Sequence, residues 1–193
     1  MKLILLGLGN PGLEYRNNRH NLGHRFIDHF SASKELTLHD YRDLHVVSFE
    51  FFNSDVYLVK SKHFMNSSGN GMVDFLRKVL GVDDIFMIVH DELNLPFGRA
   101  KLSQGKSAGG HNGVASVINS LGFFPPRLRL GINSNRNAKK PLSEFVLSDL
   151  SKEEQKSFDC FVPKLFFTLK LLVLRGFRHA TDFINRHPLP TNL

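Results

Sequence analysis

The sequence predicts an α/β sandwich built on a mixed sheet. Short apolar runs of strand length alternate along the chain with segments of helical periodicity, which is the pattern of that class. One of those runs, Ile85 to Val89, is unbroken, as expected of a central strand covered on both faces. A length of 193 residues fits one domain, able to bury about two-thirds of its unfolded surface. There is no internal repeat, and no linker is rich enough to divide the chain in two.

Lys2 to Gly7 reads as a short buried strand, stopped by the turn signal Gly9-Asn10-Pro11-Gly12. After the polar stretch Glu14 to Arg19, Leu22, Phe26, Ile27 and Phe30 recur at helical spacing, so a helix begins near His20. Leu44 to Phe51 and Asp55 to Lys60 are β-rich and flank Asn53-Ser54, predicting a hairpin. Met72, Val73, Leu76, Val79 and Leu80 mark a helix face that Gly81 is placed to end. His90-Asp91-Glu92-Leu93 follows the central strand, and Arg99 to Ser103 forms a further strand before a loop from Gln104 to Gly110. Val114, Val117, Ile118 and Leu121 are the face of the next helix, closed by Gly122. Arg127 to Ile132 alternates basic and apolar residues and reads as a half-exposed strand. Ser151 and Glu154 have capping-box spacing and open a long apolar helix to about Leu174, which Pro163 is expected to kink or divide.

Composition narrows the classes. Hydrophobic residues at 41% and charged residues at 22% are ordinary for a soluble globular protein, which excludes disordered and fibrous readings. Twenty-five Lys and Arg against eighteen Asp and Glu give +7, a balance that accompanies a polyanionic partner or simply serves solubility. The lone Cys160 excludes an intramolecular disulfide, favours a reducing compartment and, in its apolar stretch, reads as a buried thiol. The N-terminus opens as a strand rather than on a signal-peptide plan, and Leu165 to Leu174 is too short to span a bilayer. A cytoplasmic protein is expected.

Several familiar sites fail on spacing. Gly7-Leu8-Gly9-Asn10-Pro11-Gly12 matches G-x-G-x-x-G, but the next helix starts some eight residues too late to face a pyrophosphate. A plain turn explains the glycines better and leaves the Asn10 amide unexplained. His20 and His24 stand at i and i+4, yet no third ligand pattern accompanies them, so no metal site is expected and His24 reads as a satisfied or exposed histidine. A nucleophile elbow, a P-loop and a C-x-x-C are all missing.

Four segments remain. Asn10-Pro11-Gly12 with Tyr15 leads to Arg19-His20-Asn21; Phe64-Met65-Asn66-Ser67-Ser68-Gly69 stands between a strand and a helix; His90-Asp91-Glu92-Leu93 follows the central strand; Gly109-Gly110-His111-Asn112-Gly113 opens a helix. Each lies at an expected strand end or helix start, where α/β proteins place ligands. Each also has a plainer reading: Asn10 in a turn, Asn66 and Asn112 as helix caps, Asp91 as a solvated loop acid. Their joint occurrence in this order is far harder to attribute to chance.

Together the four segments resemble the bacterial peptidyl-tRNA hydrolase family, from Leu3 to about Ile132 and more loosely to the C-terminus. The resemblance implies a single-domain three-layer α/β/α sandwich with a twisted mixed sheet, spanning residues 1–193 and acting as a monomer. It implies hydrolysis of the ester between a peptide and the terminal ribose of tRNA, without metal or cofactor. By motif match His20 is the catalytic base, Asp91 holds it in its basic form, and Asn10 helps distinguish peptidyl from free aminoacyl ends. Tyr15, Phe64, Asn66 and Asn112 contact the tRNA terminus or the peptide, and Met65 lines the cleft. Ser103 departs from the family, which often carries a basic residue there near the tRNA 5′ phosphate; Lys101, Lys106 and Arg129 are the nearby replacements. The loop at Lys106-Ser107-Ala108 has fewer glycines than usual, and Gly131-Ile132-Asn133-Ser134 lacks the usual Gly-Arg-Pro ending.

The residue types suit the reaction. A histidine with an ordinary pKa of about 6.5 is mostly neutral near pH 7 and so able to take a proton from water. A carboxylate on its other ring nitrogen sets the tautomer and stabilises the imidazolium. Asparagine amides orient peptide groups without charge, and one of them can donate to the oxyanion. Two other classes compete: a non-catalytic RNA-binding protein on the same fold, and a small-molecule esterase unconnected with RNA. The histidine, the acid and all three asparagines argue against the first. Arg127, Arg129, Arg136, Lys139 and Lys140 argue against the second, a solvated surface being their plainer reading.

Overall fold

The first strand already sets the layering. In the computed structural model, which describes residues 1–134 and 141–186, β1 (Lys2–Gly7) sends Leu3 and Leu5 into one core and Ile4 and Leu6 into another. Period-two alternation with apolar residues on both sides requires a cover on each face. α1 (Leu22–Ser33) and the long C-terminal α5 (Lys152–Arg186) cover the first face; α2 (Met72–Val79) and α3 (Asn112–Leu121) cover the second. The expected α/β architecture with helices on both sides of a mixed sheet is therefore present.

Among the described residues the sheet has seven strands. The others are β2 (His39–Tyr41), β3 (Leu44–Glu50), β4 (Asp55–Ser61), β5 (Ile85–Pro96), β6 (Ala100–Ser103) and β7 (Arg127–Asn133), ordered β2-β3-β4-β1-β5-β7-β6. The four inner strands, β4, β1, β5 and β7, run parallel, while β2, β3 and β6 pair antiparallel at the edges. The hairpin around Asn53-Ser54 forms as expected, with Phe52 and Asn53 at positive φ. No helix among the described residues is long and apolar enough to cross a membrane.

Several expectations need correction. β7 is not half-exposed: it lies between β5 and β6, and of its residues Arg127, Leu128, Leu130, Gly131 and Ile132 are buried. α2 ends one residue before the expected stop because Leu80 turns extended at φ −84 and ψ 123; Gly81 keeps an ordinary φ and donates its N–H to Asp84. Pro163 does not divide the last helix, which continues through it and breaks instead at Gly176, φ 82 and ψ 175. A helix-interior proline costs about 3 kcal/mol. Burying Phe161, Val162 and Leu165 around it returns roughly 1.5–3 kcal/mol per side chain, so packing holds the helical path. Cys160 lies on the outer side of that helix and is exposed rather than buried. The capping box is as expected: the Glu154 N–H donates to the Ser151 hydroxyl at 3.2 Å, and the Ser151 N–H donates to Glu154 at 2.7 Å. Arg136, Lys139 and Lys140 lie outside the described residues.

Candidate active site

The site forms where β5 outruns its neighbour. β1 stops pairing at Gly7 opposite Val89, so His90, Asp91 and Glu92 project beyond it while still in strand geometry; the acid segment belongs to β5 instead of following it. Gly23 lets α1 approach this point closely, since a Cβ there would lie 2.3 Å from the Val89 carbonyl and 2.4 Å from the Leu8 nitrogen. α1 begins at Leu22, two residues later than expected, because a 3-10 turn, Arg19–Asn21, precedes it and carries His20.

His20 and Asp91, 71 residues apart in sequence, meet at 2.9–3.0 Å through the His20 Nδ1 and both carboxylate oxygens. Across the same carboxylate stands His111, whose Nε2 is 2.9 Å from Asp91 Oδ1. The tautomer of His111 follows from its other nitrogen. Nδ1 accepts the backbone N–H groups of Gly113 at 3.1 Å and Val114 at 3.3 Å, capping α3, so Nε2 must carry the proton and donate to Asp91. This cap belongs to His111 and not to Asn112. Asp91 is then the acceptor on both sides, and His20 donates from Nδ1, leaving the Nε2 lone pair without a partner among the described residues. Burial pushes the Asp91 carboxyl up, but the charge and hydrogen bonds of His111 and His20 outweigh it and hold the group well below the usual carboxylate range.

Asn10 and Met65 line the site, and Asn21 holds Asn10 in place. The Asn21 side chain accepts the Asn10 N–H and donates to the Asn10 carbonyl, both at 2.9 Å. The Asn10 Oδ1 accepts the Met65 N–H at 2.8 Å, which orients the amide and leaves its Nδ2 donors for the cleft. This accounts for the amide that a turn alone left unexplained. Met65 itself is buried beneath α3, where a Cβ on Gly113 would lie 2.3 Å from its sulfur.

These groups border a cleft of about 510 Å³ that takes in Asn10, His20, Phe64, Met65, Asn66, Asp91 and Asn112. Asn66 and Asn112 are exposed there, and Asn66 sits in a 3-10 turn, Met65–Ser67, rather than capping α2. Tyr15 does not border the cleft but meets Phe64 edge-on at 6.0 Å, with Phe64 56% exposed. Lys101 and Arg129 stay outside as well: they are register partners on β6 and β7, Lys101 exposed, Arg129 paired with Glu92 at 2.9 Å. Ser103 faces Arg127 in the same register. Of the residues singled out in the sequence, Asn10, His20, Phe64, Met65, Asn66, Asp91 and Asn112 border this one cleft. His111 stands inside the motif Gly109 to Gly113, yet nothing in its spacing signals a role. Asn21, and the wall supplied by α4 (Leu142–Val146), whose Leu142, Ser143 and Val146 border the cleft, likewise carry no signal in the sequence.

His24 is a further correction. It is buried, its Nε2 has no partner among the described residues, and burial, reinforced by the positive charges of Lys60 and His45, lowers its pKa to about 3. His90 is likewise buried and held well below 6.5, first by burial and then by His111. Its Nδ1 contacts the Asp91 carbonyl at 2.6 Å. Donor atoms of His20, Asp91 and His111 lie within 4.8 Å of one another and could ligate a metal ion. The contacts that bring them together are imidazole–carboxylate hydrogen bonds, which an ion at those atoms would have to replace.

Fold and cleft define an α/β protein of the hydrolase class, with a histidine–carboxylate pair at the carboxyl end of its central strand. The chain matches the peptidyl-tRNA hydrolase family over residues 4–191, and it belongs to that family. It is 36% identical over 190 residues to the peptidyl-tRNA hydrolase of Psychrobacter arcticus, covering 97% of each chain. To that of Thermodesulfovibrio yellowstonii it is 28% identical over 186 residues, covering 95% of this chain and 99% of the relative. The crystal structure of peptidyl-tRNA hydrolase from Acinetobacter baumannii superposes with a TM-score of 0.86 at 30% identity, over 96% of this chain and 95% of that one. These relatives are hydrolases by name and give no support to the non-catalytic alternative.

Proposed function

We propose that the protein hydrolyses the ester between a peptide, or an N-blocked aminoacyl group, and the terminal ribose of tRNA, with His20 as general base. The observation that carries this reading is the orientation of one imidazole: Asp91 holds Nδ1–H at 2.9 Å, so Nε2 is the basic atom. In the reaction Nε2 takes a proton from water as its oxygen attacks the ester carbonyl carbon. The imidazolium, stabilised by ionised Asp91, then gives that proton to the departing ribose oxygen as the tetrahedral intermediate collapses. General-base assistance of this kind contributes roughly 10²–10⁴ in rate.

An asparagine amide, from Asn10, Asn66 or Asn112, stabilises the oxyanion, a role worth about 3–4 kcal/mol in other hydrolases. Asn10 is the best prepared, because its oxygen is already committed to the Met65 N–H and its nitrogen is left to donate. A donor there suits a peptide carbonyl better than the charged amine of a free aminoacyl end. Phe64 and Tyr15 present an aromatic edge to the tRNA terminus, and Met65 fills the wall beneath it. Lys101 and Arg129, outside the cleft, meet phosphates further along the acceptor stem. The protein acts on this reading as a single-domain, cofactor-free monomer in the cytoplasm.

The test compares cleavage of an N-acetylated aminoacyl-tRNA, the free aminoacyl-tRNA and a simple ester by the wild-type protein and His20→Ala. Only the N-blocked tRNA is cleaved efficiently by the wild type, and His20→Ala loses turnover while tRNA affinity is nearly intact. Near-normal cleavage by His20→Ala removes the base assignment; equal cleavage of the simple ester removes tRNA as the substrate.

A further inference from the structure

The 3-10 turn that carries His20 is three residues long and has no side-chain cap of its own. Such a turn has little intrinsic stability, so something else must hold the imidazole toward Asp91. Its two neighbours point inward in its place. Asn21 ties the turn to the Asn10 loop. Arg19 ties it to the segment that joins α4 to α5. Its Nη2 donates to both oxygens of Glu154 at 2.8 Å, its Nη1 donates to the Asp149 carbonyl at 2.6 Å, and the guanidinium lies 4.8 Å from the centre of the Phe145 ring in α4. The Arg19 backbone N–H bonds the Ser148 carbonyl at 3.0 Å.

Glu154 is itself fully engaged. Besides Arg19 it accepts the Ser151 N–H at 2.7 Å and the Ser134 hydroxyl. Arg19 is 8% exposed and Glu154 6%. A buried ion pair of this kind adds little net stability, because desolvating both charges offsets their attraction. What it does supply is direction, since the planar guanidinium spends one terminal nitrogen on Glu154 and the other on the Asp149 carbonyl, and these two attachments together set its plane. Through Phe145 the same group also presses on the helix whose Leu142, Ser143 and Val146 wall the cleft.

We infer that the Arg19–Glu154 ion pair positions His20 for the reaction, holding the base-bearing turn and the α4 wall in register; Arg19 and Glu154 are positioning residues and do not touch substrate. The inference rests on the proposed role of His20. A misplacement of about 1 Å in a reacting group costs on the order of 10²-fold in rate, which sets the expected scale.

The test measures kcat and KM on N-acetylated aminoacyl-tRNA, together with the far-downfield proton resonances of the His20 and His111 hydrogen bonds to Asp91. Glu154→Gln is expected to lower kcat by about 10- to 100-fold with KM changed less than about threefold, to lose the His20 resonance and to keep that of His111. Ser151→Ala removes the helix cap without touching Arg19 and leaves kcat within about twofold. If Glu154→Gln does not fold, Arg19→Lys decides by the same criteria, since it keeps the charge and loses the planar pair of nitrogens that bonds Glu154 and the Asp149 carbonyl at once. Wild-type kcat in a folded variant, equal loss of both resonances, or an equal kcat loss in Ser151→Ala overturns the inference. An active His20→Ala would instead defeat the base assignment on which it stands.

Discussion

Replacing Asp91 by Asn tests the hydrogen-bond logic of the site more sharply than deleting a side chain. Asp91 now accepts from two directions, and His111 cannot alter its part, because its Nδ1 is committed to the N–H groups of Gly113 and Val114. An asparagine must therefore turn its one oxygen to His111 Nε2–H, and its NH2 group falls opposite His20 Nδ1. That nitrogen then becomes an acceptor, the proton of the neutral ring moves to Nε2, and the atom that should take a proton from water already carries one. The fold keeps its shape while the base is lost. The whole of the general-base contribution disappears, roughly 10²–10⁴ in kcat, or about 3–5 kcal/mol of transition-state stabilisation. The assay is single-turnover cleavage of N-acetylated aminoacyl-tRNA, with the ring 15N shifts of His20 reporting which nitrogen is protonated. Because both changes remove one function, the double variant Asp91→Asn with His20→Ala should be no slower than either alone. A kcat within tenfold of wild type, or an unchanged His20 tautomer with full loss of rate, refutes the reasoning.

Other predictions follow from single contacts. His24 is neutral when folded, with a pKa near 3 against about 6.5 unfolded, so between those values the unfolded state binds the extra proton and stability falls as pH is lowered. From pH 7 to pH 5 this amounts to about 2 kcal/mol, and urea unfolding of His24→Leu should show a correspondingly smaller loss than wild type; identical losses dismiss the shift. Gly23→Ala drives a Cβ into backbone atoms of Leu8 and Val89 that cannot step aside, so thermal unfolding should show a loss of about 3 kcal/mol or more. A variant as stable as wild type would mean that α1 and β1 are less closely packed. Arg129→Ala should flatten the dependence of log Kd for tRNA on log salt by about one unit. Adding Glu92→Gln, which removes the carboxylate left unpaired, should not restore the slope; if it does, Arg129 acts only through Glu92.

Local chemistry was legible before folding. Leu3 to Leu6 are apolar at every position, so a strand there had to be covered twice. Ser151 and Glu154 cap each other within one turn of helix, and Gly122 takes the left-handed φ of 75 that ends α3, because such contacts span only a few residues. The ordered motifs, through their likeness to a known family, also pointed to His20, Asp91 and the three asparagines as candidates. How those groups meet depends on contacts between distant parts of the chain. His20 reaches Asp91 across 71 residues because Gly23 lets α1 close on β5, and no spacing rule encodes that approach. His111 combines a helix cap with a bond to Asp91, two tasks visible only when α3 and β5 are in contact. Pro163 shows the same hierarchy in reverse: its local tendency to break a helix yields to the burial of Phe161, Val162 and Leu165, and the chain bends at Gly176 instead. Backbone preferences of a few kcal/mol act within a turn, whereas packing sums over many residues brought together from distant parts of the chain, and where the two conflict the larger sum sets the structure.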